Sequence, residues 1–275
     1  TFRFNMAGSG DLYEMERRDR TLFVTLGAFF IDEIELNDKD KYLLAGQVGY
    51  DMIFDNQSSF KIALAYYDYI NISGIKNPVS QPSLYDSSAP GFVQKGNSMF
   101  DISNVPGEPF QRFGLAPDYN LIDLTFRYDI ARFAPFHVII DGDYVENIGY
   151  DADDINNRME GGQMFVNSTF GTDDPNNAET TGYMLKFTLG WPNVLLRDTW
   201  QAFFAYKHLE RDAVLDAFTD SDFHLGGTNA KGWVAGGSYG LMDNVYMKVR
   251  YLSADEIVGP PLGIDVVQID LNTKF

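Results

Sequence analysis

The chain has 275 residues, a formal net charge of -18 at pH 7 and no cysteine. The lack of cysteine excludes a disulfide framework and a cysteine-based metal site, and the negative charge disfavours binding to nucleic-acid phosphates. Hydrophobic residues make up 45% of the chain, which is typical of a folded protein, but no apolar run reaches the roughly 18 residues of a transmembrane helix. The mean hydropathy of -0.21 is typical of a soluble protein. Transmembrane β-barrels also have a polar average, because their strands alternate apolar and polar residues.

A two-residue alternation of apolar and polar side chains predicts eleven strands. The pattern is clearest at 118–131, where Ile122, Leu124 and Phe126 alternate with Asp123 and Thr125. Most of these strands are longer than the usual five or six residues of globular proteins, and are close to the roughly 9–11 residues of a tilted strand that crosses a bilayer. In chain order, the predicted strands cover residues 1–7, 21–31, 41–54, 60–67, 118–131, 137–147, 182–191, 199–210, 231–240, 244–251 and 265–275.

The connections between these strands alternate between long and short. Residues 71–117, 149–181 and 211–230 form long connections, whereas 55–58 and 132–136 form short ones. Outer-membrane barrels have long loops on the extracellular side and short turns on the periplasmic side. The connection 8–20 departs from this pattern, because it is long where a short turn is expected.

Aromatic residues cluster at strand ends on the apolar face. Amphipathic rings favour the headgroup level of a membrane, so the cluster predicts two aromatic girdles, with an ordinary aromatic core as the alternative. The predicted girdle residues are Tyr50, Tyr66, Tyr128, Tyr144, Trp191, Trp200, Tyr206, Trp233, Tyr239 and Tyr251.

The last strand is apolar at alternate positions and ends in an aromatic residue. Ile269, Leu271 and Phe275 share one face of this strand. Such an ending is the pattern that the barrel-assembly machinery of Gram-negative outer membranes recognises, so we expect these residues to act as the assembly signal.

We therefore predict one domain over residues 1–275, an all-β antiparallel transmembrane β-barrel. Antiparallel closure of a single-chain bacterial barrel needs an even number of strands. Because eleven strands are predicted here, we expect the complete barrel to have 12–16 strands, with N-terminal strands or a periplasmic segment outside this sequence.

Several segments resemble one known family. Residues 200–207 (WQAFFAYK), 212–232 (DAVLDAFTDSDFHLGGTNAKG), 250–255 (RYLSAD), 259–275 and 26–49 resemble the bacterial putative porin family. The resemblance covers most of residues 20–275. It implies a β-barrel of the bacterial outer membrane that acts as a diffusion channel, and it carries over no binding residues. Family members are usually longer, with further strands upstream.

Alternation also assigns a water-facing set of residues on the strands. Acidic and basic side chains are nearly balanced in this set, so most of the net negative charge lies in the connections 32–40, 149–181 and 211–230. An acidic extracellular mouth predicts modest cation selectivity that weakens with salt; the alternatives are simple solvation or divalent ions that bridge lipopolysaccharide. The predicted pore-lining residues are Asp51, Lys61, Asp123, Arg127, Asp129, Asp141, Asp143, Lys186, Lys207, Lys248, Arg250 and Asp270.

The longest connection, 71–117, contains five prolines and is expected to be irregular. Long loops are usually functional, so we expect it to narrow the pore or cover the mouth, or else to contact a neighbouring subunit. A homotrimer is favoured, with a monomer as the alternative.

No motif predicts catalysis or a bound cofactor. Of the three histidines, His208 and His224 lie near several aspartates in the sequence. We expect them to be ordinary polar loop residues, because proximity in sequence is not the geometry of a catalytic triad. Asp151, Asp153 and Asp154 have a spacing that suits a hard cation, but the segment lacks the glycine and the glutamate of an EF-hand loop, so it is only a weak metal candidate.

We therefore expect a non-enzymatic outer-membrane porin that passes small hydrophilic solutes or ions, with membrane lipid and lipopolysaccharide as its surroundings. The first alternative is a scaffold barrel that anchors or sheathes a partner, and an occupied lumen would distinguish it. The second alternative is a secreted soluble β-sandwich that binds a ligand, which would not need detergent.

Overall fold

The computed structural model describes residues 2–5, 20–34, 38–104, 112–166 and 172–274. The strands are β1 (Phe2–Asn5), β2 (Arg20–Asp32), β3 (Lys41–Ile53), β4 (Ser59–Ile70), β5 (Ser98–Asp101), β6 (Phe113–Leu115), β7 (Asn120–Phe133), β8 (Phe136–Asn147), β9 (Met164–Val166), β10 (Thr172–Asp173), β11 (Thr181–Gly190), β12 (Trp200–Leu209), β13 (Ala230–Met242), β14 (Val245–Glu256) and β15 (Gly263–Thr273). The one α-helix in the described ranges, α1, spans Ala152–Met159, and short 3₁₀ turns lie at Asp86–Ser88, Asp216–Phe218 and Phe223–Leu225. No helix in these ranges is both long and apolar enough to cross a membrane.

Eleven long strands form one antiparallel sheet. Its order is β1-β2-β3-β4-β7-β8-β11-β12-β13-β14-β15, so neighbours in the sheet follow one another along the chain apart from the short strands in the connections. The eleven strands predicted from alternation are confirmed as these eleven, although the bounds differ, since β14 extends to Glu256 and β11 ends before Trp191. In the described residues, the edge strands β1 and β15 do not pair with each other, and the closure of a barrel is not seen.

The two ends of the sheet differ in their connections. At one end, here called the loop end, β4 is joined to β7 through residues 71–119, β8 to β11 through 148–180, and β12 to β13 through 210–229. At the other, the turn end, 54–58, 134–135, 191–199 and 243–244 join consecutive strands. The predicted alternation is therefore confirmed for the three longest connections, whereas 33–40 and 257–262 at the loop end are shorter than 191–199 at the turn end. Residues 6–19 between β1 and β2 lie outside the described residues.

The two faces of the sheet also differ. One face, here called the outer face, leaves apolar side chains exposed without a covering layer, for example Leu64, Phe187, Val249 and Ile269. The opposite, inner face carries the charged residues of the strands and is covered at the loop end by the long connections. The strand register determines this division, because side chains alternate between the faces.

The long connections are ordered where the structure describes them, so the expectation of an irregular segment at 71–117 is wrong in part. β5 and β6 from this segment join β9 and β10 from 148–180 in a four-stranded sheet of order β10-β9-β5-β6. These strands have only two to four residues, which is too short for alternation to identify them.

This second sheet packs onto the inner face at the loop end. Ile72, Met99 and Leu115 from the 71–119 connection cluster with Leu121 of β7 and Val145 of β8. Phe223 from the 210–229 connection packs against Val234 and Leu252 of the main sheet in a separate cluster. The loop end of the inner face is therefore a hydrophobic core, whereas the rest of that face is polar.

Candidate functional site

The charged residues predicted to face water lie on one face of the sheet. Five of them form a continuous row across neighbouring strands, since Asp51 pairs with Lys61, Lys61 with Arg127, Arg127 with Asp141, and Asp141 with Lys186. The same register places the remaining seven on that inner face: Asp123, Asp129, Asp143, Lys207, Lys248, Arg250 and Asp270.

Ion pairs tie part of this wall together. Arg127 Nη1 lies 3.4 Å from Asp141 Oδ1, and His137 Nδ1 lies 2.6 Å from Asp129 Oδ1. Both pairs join the adjacent strands β7 and β8, so opposite charges on neighbouring strands hold this part of the wall together.

Other pairs join the wall to the 210–229 connection. Lys207 Nζ lies 3.4 Å from Asp220 Oδ2, and Arg250 Nη2 donates a hydrogen bond of 3.0 Å to Asp222 Oδ2. The ammonium group of Lys207 also lies 4.6 Å from the ring centroid of Phe223. This connection is therefore held to the inner face by charge as well as by apolar packing.

Two cavities follow the inner face. The larger has a volume of about 650 Å³ and lies against β11–β14, and the second, of about 460 Å³, lies against β2–β4, β7, β8 and β11. Met184 and Lys186 line both cavities, so the two are adjacent along β11. Together they give the inner face a solvent-accessible space below the connections 71–119, 148–180 and 210–229, here called the loop cover.

A buried network around Arg211 organises the loop cover. The Arg211 side chain is fully buried, and its guanidinium lies 2.6 Å from Asp173, 3.8 Å from Glu179 and 3.8 Å from Asp212. Asp212 in turn accepts hydrogen bonds from the backbone N–H and the hydroxyl of Ser98. The network thereby joins the connections 71–119, 148–180 and 210–229 at one point.

The carboxyl groups of this network have raised pKa values. Burial raises the pKa of Asp212 to about 6, against the favourable charge of Arg211 and the bonds from Ser98. Burial likewise raises the pKa of Asp216 to about 6 and raises the pKa values of Asp173 and Glu179. Three carboxylates around one guanidinium leave an excess of negative charge in a site with little water.

The network also changes the expectation of an acidic mouth. Asp173, Glu179, Asp212 and Asp216 belong to the connections that the sequence marks as acidic, but they are buried or nearly so. Asp153 and Asp154 remain exposed at the loop end. The sequence did not identify Arg211 as a buried group, because a single arginine in an acidic segment has no pattern that distinguishes it from a surface residue.

The predicted girdle residues divide between the two ends of the outer face. Near the loop end lie Tyr66, Tyr144, Tyr206, Trp233 and Tyr251, and near the turn end lie Tyr50, Tyr128, Trp191, Trp200 and Tyr239. Each group contains a pair of rings in contact, with centroids 5.1 Å apart for Trp233 and Tyr251 and 5.8 Å apart for Trp191 and Trp200.

Tyrosine hydroxyls in both groups reach polar partners near the strand ends. The hydroxyl of Tyr66 donates to Asn120 Oδ1 over 2.9 Å at the loop end, and that of Tyr239 donates to Asp198 Oδ1 over 2.7 Å at the turn end. The rings therefore extend from an apolar surface towards polar ends, which is the environment that amphipathic aromatic residues favour.

The proposed assembly residues lie partly within the described chain. Ile269 and Leu271 are on the outer face of β15 and are about two-thirds exposed, at 69% and 67%. Phe275 lies outside the described residues.

The histidines and the weak metal candidate have structural partners. His208 stacks on Tyr183 at 5.0 Å between ring centroids. His224 is buried in the loop cover, against the expectation of an ordinary loop residue, where its ring contacts Lys95 Nζ and Nε2 bonds to the carbonyl of Leu262. Burial lowers the pKa of His224.

Asp151 is the N-cap of α1. Its Oδ1 accepts hydrogen bonds from the backbone N–H groups of Asp153 and Asp154, and Ile155 and Met159 bury the apolar side of the helix. The spacing of these aspartates is therefore that of a helix start. Within the described ranges, no three acidic or histidine side chains are grouped so as to hold a metal ion.

Sequence comparison identifies the family. A model of the putative porin family matches residues 2–275. The chain belongs to the putative porin family. In a search of curated proteins, no sequence matches it.

Family membership agrees with the architecture of this putative porin. An all-β antiparallel sheet with an apolar face, a charged face and loops gathered at one end is the arrangement expected of such a chain. The family suggests an outer-membrane channel rather than an enzyme.

Proposed function

We propose that this putative porin is a passive channel of the bacterial outer membrane that lets small hydrophilic solutes and ions diffuse along its inner face. The observation that carries the proposal is the division of the strands into an exposed apolar face and a charged face. Lipid would contact the outer face between the two aromatic groups, and water would fill the space along the inner face.

The proposal includes closure of the sheet into a barrel. In hydrocarbon, the unpaired N–H and C=O groups of an edge strand cost several kcal/mol each, so a spanning sheet is stable only when its edges are paired. We propose a complete barrel of 12–16 strands and a homotrimer, with a monomer as the alternative.

The loop cover supports a restricted entrance. The second sheet and the 210–229 connection pack onto the inner face through the clusters around Leu121 and Phe223. Solutes would pass beside this cover, close to the exposed Asp153 and Asp154. The proposal keeps a modest attraction of cations to this end, screened by salt.

Single-cysteine labelling tests which face meets water, because the natural chain has no cysteine and gives no background. Thr125 on the inner face lines the smaller cavity, and its neighbour Leu124 lies on the outer face. In outer membranes, we expect a charged, water-soluble maleimide to label Thr125→Cys rapidly and Leu124→Cys slowly, since lipid excludes the reagent.

Denatured samples, in which both cysteines react, control for the intrinsic reactivity of each site. Equal fast labelling of both variants in the native state would contradict a lipid-covered outer face and would favour the soluble β-sandwich. Slow labelling of both would favour a sheathing barrel whose interior is filled by a partner. Swelling of liposomes that contain the protein, in isotonic solutions of small sugars, then tests passage itself.

A further inference from the structure

The larger cavity on the inner face, here called the basic cavity, is built around small residues. β13 contributes Val234 and Ser238 to its wall, and β12 contributes Ala205. These side chains are short, so they leave open space in the middle of the wall. Gly236 lies between Val234 and Ser238, and a Cβ there would come within 2.8 Å of Cζ of Phe203. Because Gly236 has no side chain, the ring of Phe203 can lie against the backbone of β13.

The side chains around this wall are mostly cationic. Among the described residues, the charged groups that line the cavity are five cations and one carboxylate: Lys186, Lys207, Lys248, Arg250 and Lys274, and Asp220. The ammonium group of Lys186 lies 5.2 Å from the ring centroid of Phe203. Positive charge is thus concentrated in one part of a chain whose net charge is -18.

The cations differ in how they are paired. Lys207 and Arg250 have Asp220 and Asp222 within 3.4 Å, although the buried Nε of Arg250 has no hydrogen-bond acceptor in the described residues. Among the residues that the structure describes, no carboxylate oxygen lies within 4.0 Å of the ammonium group of Lys186 or Lys248. Lys186, Lys248 and Arg250 line the same cavity, so their positive charges repel one another, and a negative ligand between them would reduce that repulsion.

The carboxylates that share this face lie beside the cavity. Asp141 and Asp143 lie on β8 and are the cross-strand neighbours of Lys186 and Met184. Asp270 of β15 is the cross-strand neighbour of Lys248. They reduce the positive potential without closing the space, because the cavity has room for a small solute at about 650 Å³.

We propose that the basic cavity is a binding site for small, multiply charged oxyanions, which it holds through their carboxylate or phosphate oxygens. Lys186 and Lys248 would supply ammonium donors, Arg250 a guanidinium, and Gln201 and Ser238 neutral hydrogen bonds. Charge-assisted hydrogen bonds of this kind are the strong ones. Transport of the bound anion rests on the proposed channel function, whereas binding does not.

The test uses the full chain in planar bilayers with potassium chloride, to which inorganic phosphate or succinate is added. We expect each multivalent anion to reduce the open-channel current in a saturable way, and acetate at equal ionic strength to have little effect. In Lys186→Gln/Lys248→Gln, the half-blocking concentration should rise at least about tenfold, since losing one charge-assisted hydrogen bond costs roughly that factor. Block by phosphate alone or by succinate alone identifies which oxyanion the site accepts.

Lys231→Gln is the matched control, because Lys231 is an exposed lysine of β13 that lies on the outer face, as Trp233 does, and does not line the cavity. It should be blocked like the unchanged protein. Equal block of the double variant, or no block by either anion in an open channel, would overturn the proposal.

Binding is also measured without a channel, by equilibrium dialysis of labelled phosphate against the unchanged protein in detergent. Saturable binding in a protein that conducts no ions would retain the site and reject the channel. Conduction without binding or block would retain the channel and reject the binding site. This second measurement also decides the matter if the double variant does not fold.

Discussion

Arg211 shows how a single buried cation can organise three loops. Its guanidinium faces Asp173, Glu179 and Asp212, and Asp212 reaches back to Ser98 in β5. Removing the cation would leave buried carboxylates without a partner, which typically costs about 3–5 kcal/mol. The loop cover therefore depends on one side chain that the sequence does not distinguish.

The raised pKa values of Asp212 and Asp216 predict that the loop cover is more stable in mild acid. A carboxyl group whose pKa is higher in the folded state stabilises that state below its unfolded pKa of about 3.9, and this contribution is lost as the pH rises through about 6. Hydrogen exchange of the amides in 95–100 and 211–216, corrected for intrinsic rates, should be slower at pH 5 than at pH 7. The lowered pKa of His224 acts in the opposite direction, since its contribution is lost as the pH falls below about 6.5.

The double variant Asp212→Asn/Asp216→Asn separates the contribution of the two carboxyl groups from that of His224. An amide side chain at position 212 can keep the bonds from the Ser98 N–H and the Tyr119 hydroxyl and donate to the Ser98 hydroxyl, and one at position 216 can still accept from the Gln94 N–H. We expect the double variant to lose most of the protection gained on acidification. An unchanged gain would show that these two carboxyls are not its source.

At the scale of the strand, β11 allows the two faces to be compared, because its side chains alternate between them. Phe187 lies on the outer face, midway between Tyr183 and Trp191 and nearly half exposed, whereas Met184 lies on the inner face between the two cavities. A lysine at the bilayer midplane costs about 2–4 kcal/mol. Phe187→Lys should therefore lower the free energy of unfolding from lipid vesicles by about that amount.

Met184→Lys is the control on the same strand. Its new ammonium would lie opposite Asp143, in contact with water, so we expect a much smaller change. Denaturant titration of vesicle-inserted protein measures both variants. Equal destabilisation by the two lysines would contradict the assignment of the faces.

The strands were predictable because alternation is a local signal. In β7, Ile122, Leu124 and Phe126 alternate with Asp123 and Thr125, and this parity assigns each residue to a face before any partner strand is known. The loop cover was not predictable in the same way. β5 and β9 pair across more than sixty residues of chain, and Asn97 bonds to carbonyls of Arg211 and Val214, contacts that leave no periodic pattern.

The basic cavity was only partly predictable. Parity placed Lys186, Lys248 and Arg250 on the inner face, but it gave a nearly balanced wall. Their grouping against β13 depends on the strand order and on the packing of Phe203 over Gly236, which only the three-dimensional arrangement brings together.

At the scale of the whole molecule, the net charge is distributed unevenly. Some of the acidic residues are buried around Arg211, some are exposed at the loop end, and a group of basic residues lines the basic cavity. A polar average hydropathy is therefore compatible with a molecule whose outer face is apolar. The long connections gather at one end, so that end would face the cell exterior in an outer-membrane channel.

Single-channel recording in planar bilayers tests the central claim most directly. Protein purified in detergent, with the heat-modifiable gel mobility of a folded barrel, is added to one side of the membrane. We predict discrete, long-lived current steps whose conductance rises with bulk salt, because ions would diffuse through a water-filled pore. Folded, membrane-inserted protein that produces no steps above those of the lipid alone would contradict a channel function and favour the scaffold barrel.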